Sequence, residues 1–166
     1  MYTCLITPEP TMHDQTLLDL FTQDIDTAEQ LLELIEREFQ YLQERDLPQL
    51  QQILSEKQPL LALLDQHGRN RSQLLAALQL SPDSQGLQQL AARSNLGAQL
   101  LSQAERLNEL LQGCQAANLR NGRLIRSSQN SNQSILGILR GNDTPNLYDS
   151  RGSAARIGLQ RPLSQA

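Results

Sequence analysis

Residues 17–42 read LLDLFTQDIDTAEQLLELIEREFQYL, and their apolar residues recur at alternating steps of three and four. The repeat consists of Leu18, Phe21, Ile25, Ala28, Leu32, Ile35, Phe39 and Leu42. This spacing puts the apolar side chains on one stripe of an α-helix and is typical of a helix that packs along a long partner. Leu17, Leu31 and Leu34 widen the stripe, which indicates contact with more than one neighbour. We predict a first helix over residues 12–45.

The next residues, Asp46-Leu47-Pro48, predict a break and a restart, because Asp caps helices and Pro is tolerated in a first turn. So short a connection makes the second helix, predicted over residues 47–80, antiparallel to the first. Pro59 predicts a kink in it. The stripe of this second helix comprises Leu47, Leu50, Leu54, Lys57, Leu61, Leu64, Gly68, Arg71, Leu75 and Leu78.

Two cations in that stripe, Lys57 and Arg71, allow two interpretations. They can pair with carboxylates of the first helix, for which the candidates are Glu29, Glu33 and Glu36. They can also extend to solvent along their own apolar stems. The length of both side chains favours the second interpretation.

A turn over residues 80–86, LSPDSQG, predicts the start of a third helix over residues 86–119. Leucine is abundant, valine is absent and aromatic residues make up 3% of the chain, which favours helices over strands. We therefore predict an all-α fold in which residues 1–117 form an antiparallel three-helix bundle. Residues 118–140 are predicted to be a helical extension, and residues 141–166 a flexible basic tail because they lack an apolar period.

Charge is distributed unevenly along the chain. Residues 1–117 hold 7 Lys+Arg and 16 Asp+Glu, a net charge of −9, whereas residues 118–166 hold 7 Arg and 2 Asp, a net charge of +5. Either the bundle is a solvated acidic surface with an Arg-bearing tail, or the tail binds the acidic helices or an acidic partner. Spread arginines without aromatic residues do not indicate a nucleic-acid partner.

The cysteines and histidines of this sequence are not grouped in any catalytic or metal-binding motif. Cys4 and Cys114 lack metal-ligand spacing and are expected to be free thiols in a reducing cytosol. His13 and His67 have no catalytic companions, so we predict no enzyme, no metal and no cofactor. A phospho-accepting role for His67 is the weakest alternative, and an ordinary, partly exposed helix histidine is favoured. With no signal peptide and no long apolar run, a cytoplasmic protein without membrane insertion is expected.

Residues 118–139 read NLRNGRLIRSSQNSNQSILGIL, where the helical spacing continues but the residue types change. A run of nine polar residues, 126–134, precedes a final apolar cluster. A helix with too little core is a candidate for folding onto a partner. We predict a binding element formed by Asn121, Gly122, Leu124, Ile125, Ile135, Leu136, Ile138 and Leu139. Alternatively, the final cluster closes the bundle by packing on the first two helices.

Three short motifs occur in a distinctive order along the chain. Residues 121–125 give N-G-x-L-I, residues 56–61 give E-K-x-x-L-L, and residues 147–152 give L-Y-D-S-R-G. Their order and spacing resemble the FlgN family of flagellar export chaperones, although Asp149 stands where that family tends to have glycine. The resemblance covers nearly the whole chain.

The resemblance implies a cytoplasmic type III export chaperone. Its clients would be the flagellar hook-associated proteins of the hook–filament junction, bound through their C-terminal helical segments. Tyr148 and the basic tail would serve docking on the membrane export platform. The alternative hypothesis, from a different functional class, is a structural coiled-coil protein that forms a homo-oligomer. The sequence leaves a homodimer open, because such seams serve intramolecular and intermolecular pairs alike.

Overall fold

A computed structural model of the chain describes residues 12–140 and the backbone of residues 147–148 and 154–155. Four helices occur in this part: α1 (Met12–Glu44), α2 (Leu47–Ala77), α3 (Ser84–Ala91) and α4 (Gly97–Leu139). Strands β1 (Leu147–Tyr148) and β2 (Ala154–Ala155) pair antiparallel. The predicted all-α class is confirmed, and the one departure from it among the described residues is this two-residue ladder. The rest of the predicted flexible tail, and Cys4, lie outside the described residues.

The chain divides into two units, Met1–Gly122 and Arg123–Ala166. In the first unit, α1 and α2 run antiparallel, as the order of their ion pairs shows: Asp24 with Arg71 and Glu38 with Lys57. The contacts of α1 with α4 advance in the same chain direction: Ala28 with Cys114 and Ile35 with Asn121. The first unit is therefore an up-down-up arrangement of three long helices, in which α3 is a short connecting element.

The tight connection between α1 and α2 follows the prediction. Asp46 caps α2, with its carboxylate accepting a hydrogen bond of 3.2 Å from the Gln49 backbone N–H. Pro48 lies in the first turn of α2, where its missing N–H costs nothing. Arg45 adopts a left-handed conformation with φ of 57°, which reverses the chain within two residues.

The buried seam of α1 differs from the predicted stripe. The buried positions that recur at steps of three and four are Asp14, Leu17, Phe21, Asp24, Ala28, Leu31 and Ile35. Leu18, Ile25 and Leu32 are only half-buried and flank the core. Asp14 and Asp24 occupy the seam because each has a hydrogen-bond partner inside the bundle. A pattern of hydrophobic residues cannot predict buried aspartates of this kind. The predicted stripe was therefore wrong, and the buried seam is related to it by a small rotation about the axis of α1.

The stripe predicted for α2 also requires correction. Leu47, Leu54 and Leu61 are exposed, whereas the buried residues of α2 are Ile53, Lys57, His67 and Leu75. The helix turns its polar residues inward because α1 and α4 provide their hydrogen-bonding partners. Pro59 lies on the exposed side of α2, which remains a single helix through it.

The third helix predicted over residues 86–119 is in fact two helices, α3 and α4, separated at residues 92–96. The Ser94 hydroxyl accepts a hydrogen bond from the Leu96 backbone N–H at 3.1 Å and donates one to the Asp14 carboxylate at 2.8 Å. A Cβ at Gly97 would lie 2.0 Å from the Ala91 carbonyl oxygen, so this close turn requires glycine. The turn residues thus fix the start of α4 against α1.

Candidate functional site

In the second unit, the polar run of residues 126–134 is helical. The Ser131 hydroxyl donates a hydrogen bond of 3.0 Å to the Ser127 carbonyl, one turn earlier. Such bonds satisfy serine side chains on their own helix. The helix ends at Leu139, and the Arg140 N–H still donates to the Leu136 carbonyl at 2.9 Å. The segment therefore presents a continuous helical surface.

The apolar residues at the end of α4 are exposed. The exposed fractions are 56% for Ile135, 47% for Leu136, 66% for Ile138 and 76% for Leu139. We call these four residues the terminal apolar cluster. Such exposure does not fit the alternative in which the cluster closes the core, and adjacent exposed apolar side chains mark interaction surfaces.

The two remaining apolar candidates lie nearer the start of the second unit. Leu124 is half-buried, and Ile125 is 40% exposed. They are about three turns of helix away from the terminal apolar cluster. The structure therefore brings together four of the six apolar candidates and leaves these two apart.

A shallow, open surface runs along one face of α4 in the second unit. We call it the arginine groove. Its lining residues are Arg123, Arg126, Ser127, Asn130, Ser131, Ser134 and Ile135. Ile135 belongs to both features, so the groove leads from two cations into the terminal apolar cluster.

Asn121 has a different environment from the apolar candidates. It belongs to the first unit, where its side chain is 2% exposed. Its amide donates hydrogen bonds to the Ile35 carbonyl at 2.9 Å and to the Glu38 carboxylate at 2.8 Å. Gly122 is half-buried, and α4 continues through it as helix. The Asn-Gly pair therefore lies inside the helical packing rather than on an exposed surface.

The Glu38 carboxylate also holds Lys57, whose ammonium lies 3.1 Å away. The Lys57 ammonium further donates to the Asn118 amide oxygen at 3.5 Å. Lys57 is buried, so the preferred prediction that it extends to solvent was wrong. Its partner is Glu38, two residues beyond the last of the three predicted glutamates on α1, so the predicted glutamate partners of Lys57 were wrong as well. Lys57, Glu38 and Asn121 form a buried polar layer that joins all three long helices.

A second polar layer surrounds Asp24, which is fully buried. The Asp24 carboxylate accepts a hydrogen bond from Arg71 and lies 2.6 Å from the His67 ring nitrogen Nδ1. The carboxylate only accepts, so Nδ1 is the donor. The Arg71 guanidinium also stacks over the Phe21 ring at 5.0 Å. Arg71 does not extend to solvent, and the predictions of a partly exposed His67 and of a glutamate partner were wrong.

Burial lowers the pKa of the Arg71 guanidinium, but the ordinary value is so high that the group stays charged. The Asp24–Arg71 pair is thus a buried ion pair whose partners depend on each other. The sequence signal that could have revealed this layer is the four-residue spacing of His67 and Arg71. That spacing places both side chains on one face of α2.

Cys114 occupies the predicted core position. Its side chain is buried, and its thiol donates to the Ala28 carbonyl at 3.6 Å. Burial raises the pKa of the Cys114 thiol, so this group stays protonated and unreactive at neutral pH.

Tyr148, the candidate for docking on the export platform, lies in β1, where it pairs with Ala154. Its side chain lies outside the described part of the chain. None of the helices in the described ranges is both long and apolar enough to cross a bilayer. In those same ranges, no three His, Cys, Asp or Glu side chains are grouped so that they could hold a metal ion.

These features define an all-α bundle protein whose last helix ends in an exposed apolar and cationic surface. The model of the FlgN protein family matches residues 12–156, and the chain belongs to this family. It is therefore a flagella-associated protein.

The chain is also similar to a solved structure, a flagella synthesis protein FlgN from Pseudomonas aeruginosa. The two share 49% sequence identity with a TM-score of 0.64, over 75% of this chain and 95% of the other. No curated protein matches this sequence.

Proposed function

We propose that this protein is a cytoplasmic chaperone for the hook-associated proteins of the flagellar hook–filament junction. It would hold them soluble before secretion and deliver them to the type III export apparatus. Membership of the FlgN family supports this role. The single observation that carries it is the exposure of the terminal apolar cluster at the end of an otherwise packed helix.

The proposed client segment is an amphipathic helix whose own apolar stripe would otherwise self-associate. Covering four largely exposed aliphatic side chains contributes roughly 4–8 kcal/mol of gross binding free energy, at about 1–2 kcal/mol each. Ordering a flexible client segment costs about 2–5 kcal/mol. The two ranges leave a small net gain at most, which suits a complex that separates without a nucleotide, so no enzymatic activity is required of the chaperone.

The candidate residues take different parts in this proposal. The terminal apolar cluster contacts the client directly, and Leu124 and Ile125 extend the contact toward the first unit. Asn121 and Gly122 act through packing, since Asn121 holds α4 on α1. Tyr148 and the basic tail are proposed to dock on the export platform after the client is bound.

A second candidate function, a structural homo-oligomer, draws on the exposed leucines of α2. Leu47, Leu54 and Leu61 recur every seven residues and are 68%, 55% and 48% exposed. Seven-residue spacing suits the pairing of helices from two copies. Light scattering with and without client separates the two functions. If the protein is a chaperone, its measured mass increases when the client is added. If it is a structural protein, it forms a tight oligomer whose mass does not change with the client.

The experiment for the chaperone function replaces Ile135 and Leu139 together with aspartate. The matched control replaces Gln129 and Gln133 with aspartate, which adds the same charge at two exposed positions of the same helical segment. Each variant is co-expressed with the tagged junction protein, and the bound fraction and helical content are measured. We expect the first variant to lose the junction protein and the control to retain it.

Circular dichroism of each variant distinguishes loss of binding from loss of the folded structure. If the Ile135→Asp/Leu139→Asp variant remains helical and still co-purifies with the junction protein, the terminal apolar cluster is not the binding element. Equal loss in both variants would assign the effect to charge instead of apolar contact.

A further inference from the structure

The chain contains a single Asn-Gly pair, Asn121-Gly122. In flexible peptides such a pair deamidates spontaneously, because glycine has no side chain to shield its backbone nitrogen. The Gly122 nitrogen attacks the side-chain carbon Cγ of Asn121, the amide nitrogen leaves as ammonia, and a five-membered succinimide ring forms. Water then opens the ring to aspartate or isoaspartate. The net reaction consumes one water and releases one ammonia, so it requires no other reactant.

In the folded protein, both polar atoms of the Asn121 side chain are engaged. The amide nitrogen, which would be the leaving group, donates to the Ile35 carbonyl at 2.9 Å and to the Glu38 carboxylate at 2.8 Å. The amide oxygen accepts hydrogen bonds of 3.3 Å from the Arg120 guanidinium. Arg120 is itself held by the Glu36 carboxylate at 2.9 Å. The side chain is therefore fixed against α1 from both sides.

The backbone of the pair is held as well. Both residues lie inside α4, where an interior N–H donates to the carbonyl four residues earlier. Closing the succinimide ring requires a rotation about the Cα–C bond of Asn121 that breaks the helical backbone. The side chain is also only 2% exposed, which keeps water from the ring. Reaction therefore requires that α4 first opens at this level.

We propose that Asn121-Gly122 is a site of spontaneous deamidation that reacts only while α4 is locally open, and that the reaction prevents full reclosure. The observed rate is then the rate of the open chain multiplied by the open fraction, as in amide hydrogen exchange. The proposed chaperone function does not depend on this reaction, so either can fail without the other.

The products do not fit the place that the amide leaves. Aspartate at position 121 has only acceptor atoms, and these would face two further acceptors, the Ile35 carbonyl and the Glu38 carboxylate. The nearby cations Arg120 and Lys57 offset part of this repulsion, but they do not replace the two lost donors. Isoaspartate adds a carbon to the main chain, which interrupts the helical hydrogen bonding. Either product therefore holds α4 on α1 less firmly than asparagine does.

Mass spectrometry of the full-length protein after incubation in mildly alkaline buffer measures the deamidated fraction at residue 121. A synthetic peptide of residues 118–125 in the same buffer gives the rate of the open chain. We expect the folded protein to react about a hundredfold more slowly than the peptide, or slower still. Urea below the unfolding transition should raise the rate in the protein and leave the peptide nearly unchanged. Equal rates in protein and peptide, a peptide that does not react, or a protein rate that is indifferent to urea overturns the proposal.

A pair of variants tests whether the contacts of the side chain control the opening. Glu38→Ala removes an acceptor of the Asn121 amide and should accelerate its deamidation about tenfold. Glu44→Ala changes an exposed glutamate of the same helix and should alter the rate by no more than about twofold. Equal rates in the two variants overturn this control of the reaction. If Glu38→Ala does not fold, the urea series on the wild type decides.

The effect of the product on the folded protein is tested by Asn121→Asp, which imitates the aspartate form. We expect it to unfold at a lower urea concentration than the wild type. Asn108→Asp adds the same charge at an exposed position of α4 and should stay close to the wild type. Equal urea midpoints for Asn121→Asp and the wild type would show that α4 recloses fully, which overturns that part of the proposal.

Discussion

Two parts of α4 show what decides whether a helical stripe becomes core. In the first unit, Leu107, Leu110, Cys114, Ala117 and Asn121 are buried at steps of three and four. In the second unit, the terminal apolar cluster keeps a helical spacing and is exposed. Apolar character alone therefore does not predict burial. A polar side chain with fixed partners, such as Asn121, is buried, whereas an isoleucine without a partner helix remains on the surface.

The largest expected effect concerns the polar layer around Asp24. Replacing Asp24 with alanine leaves Arg71 and His67 buried without their acceptor, which should cost roughly 3–5 kcal/mol of unfolding free energy. Urea denaturation followed by circular dichroism measures this loss. Asp26→Ala is the matched control, because Asp26 is exposed two residues away on the same helix. Equal effects of the two substitutions would show that the Asp24 layer contributes nothing specific.

A smaller loss is expected at Asn121. Asn121→Ala removes the hydrogen bonds to the Ile35 carbonyl and the Glu38 carboxylate, and should cost about 1–3 kcal/mol. Asn108→Ala changes an exposed asparagine of the same helix and should have little effect. The free energies of unfolding of both variants check this prediction. A neutral Asn121→Ala substitution would show that these buried hydrogen bonds add no net stability.

Cys114 should make stability depend on pH in the alkaline range. Its folded-state pKa is raised by burial, so above the unfolded thiol value of about 8.5 the unfolded state loses a proton that the folded state keeps. The stabilisation is complete below that pH and is lost as pH rises toward the folded-state pKa. Cys114→Ala should cost roughly 1 kcal/mol at pH 7, and the difference from the wild type should shrink between pH 8 and pH 10. Denaturant midpoints across this range test the sign, and a constant difference would contradict it.

The smallest effect on stability is expected in the terminal apolar cluster. Ile138→Ser/Leu139→Ser should change the unfolding free energy by no more than about 0.5 kcal/mol, because both side chains are largely exposed. The same variant should bind the junction protein more weakly. Paired denaturation and pull-down measurements check both statements, and a loss of several kcal/mol would show that the cluster is core after all.

The sequence was sufficient for the all-α class, for the turn at Asp46-Leu47-Pro48 and for the arrangement of three long helices. Each of these follows from local spacing and capping chemistry, which sequence displays directly. It did not predict the break at residues 92–96, because leucine spacing continues across it and Gly97 gives no sign of its close approach to Ala91.

The interior was predicted less well than the surface. Leu54 and Leu61 were expected inside, and Asp24 and His67 were not, because their burial depends on pairing with residues distant in sequence. For the end of α4 the sequence left two alternatives, a core contact and an exposed binding element, and the structure leaves this end exposed. Its cluster follows a polar run, and no later segment of the sequence shows a helical stripe to cover it.

Amide hydrogen exchange along α4, in the free protein and with the junction protein added, tests the contrast between its two parts most directly. We expect amides of residues 107–121 to exchange slowly in both samples. Amides of residues 123–139 should exchange faster in the free protein and become protected when the client is present. Uniform protection along α4 in the free protein, with no change on adding the client, would contradict the account.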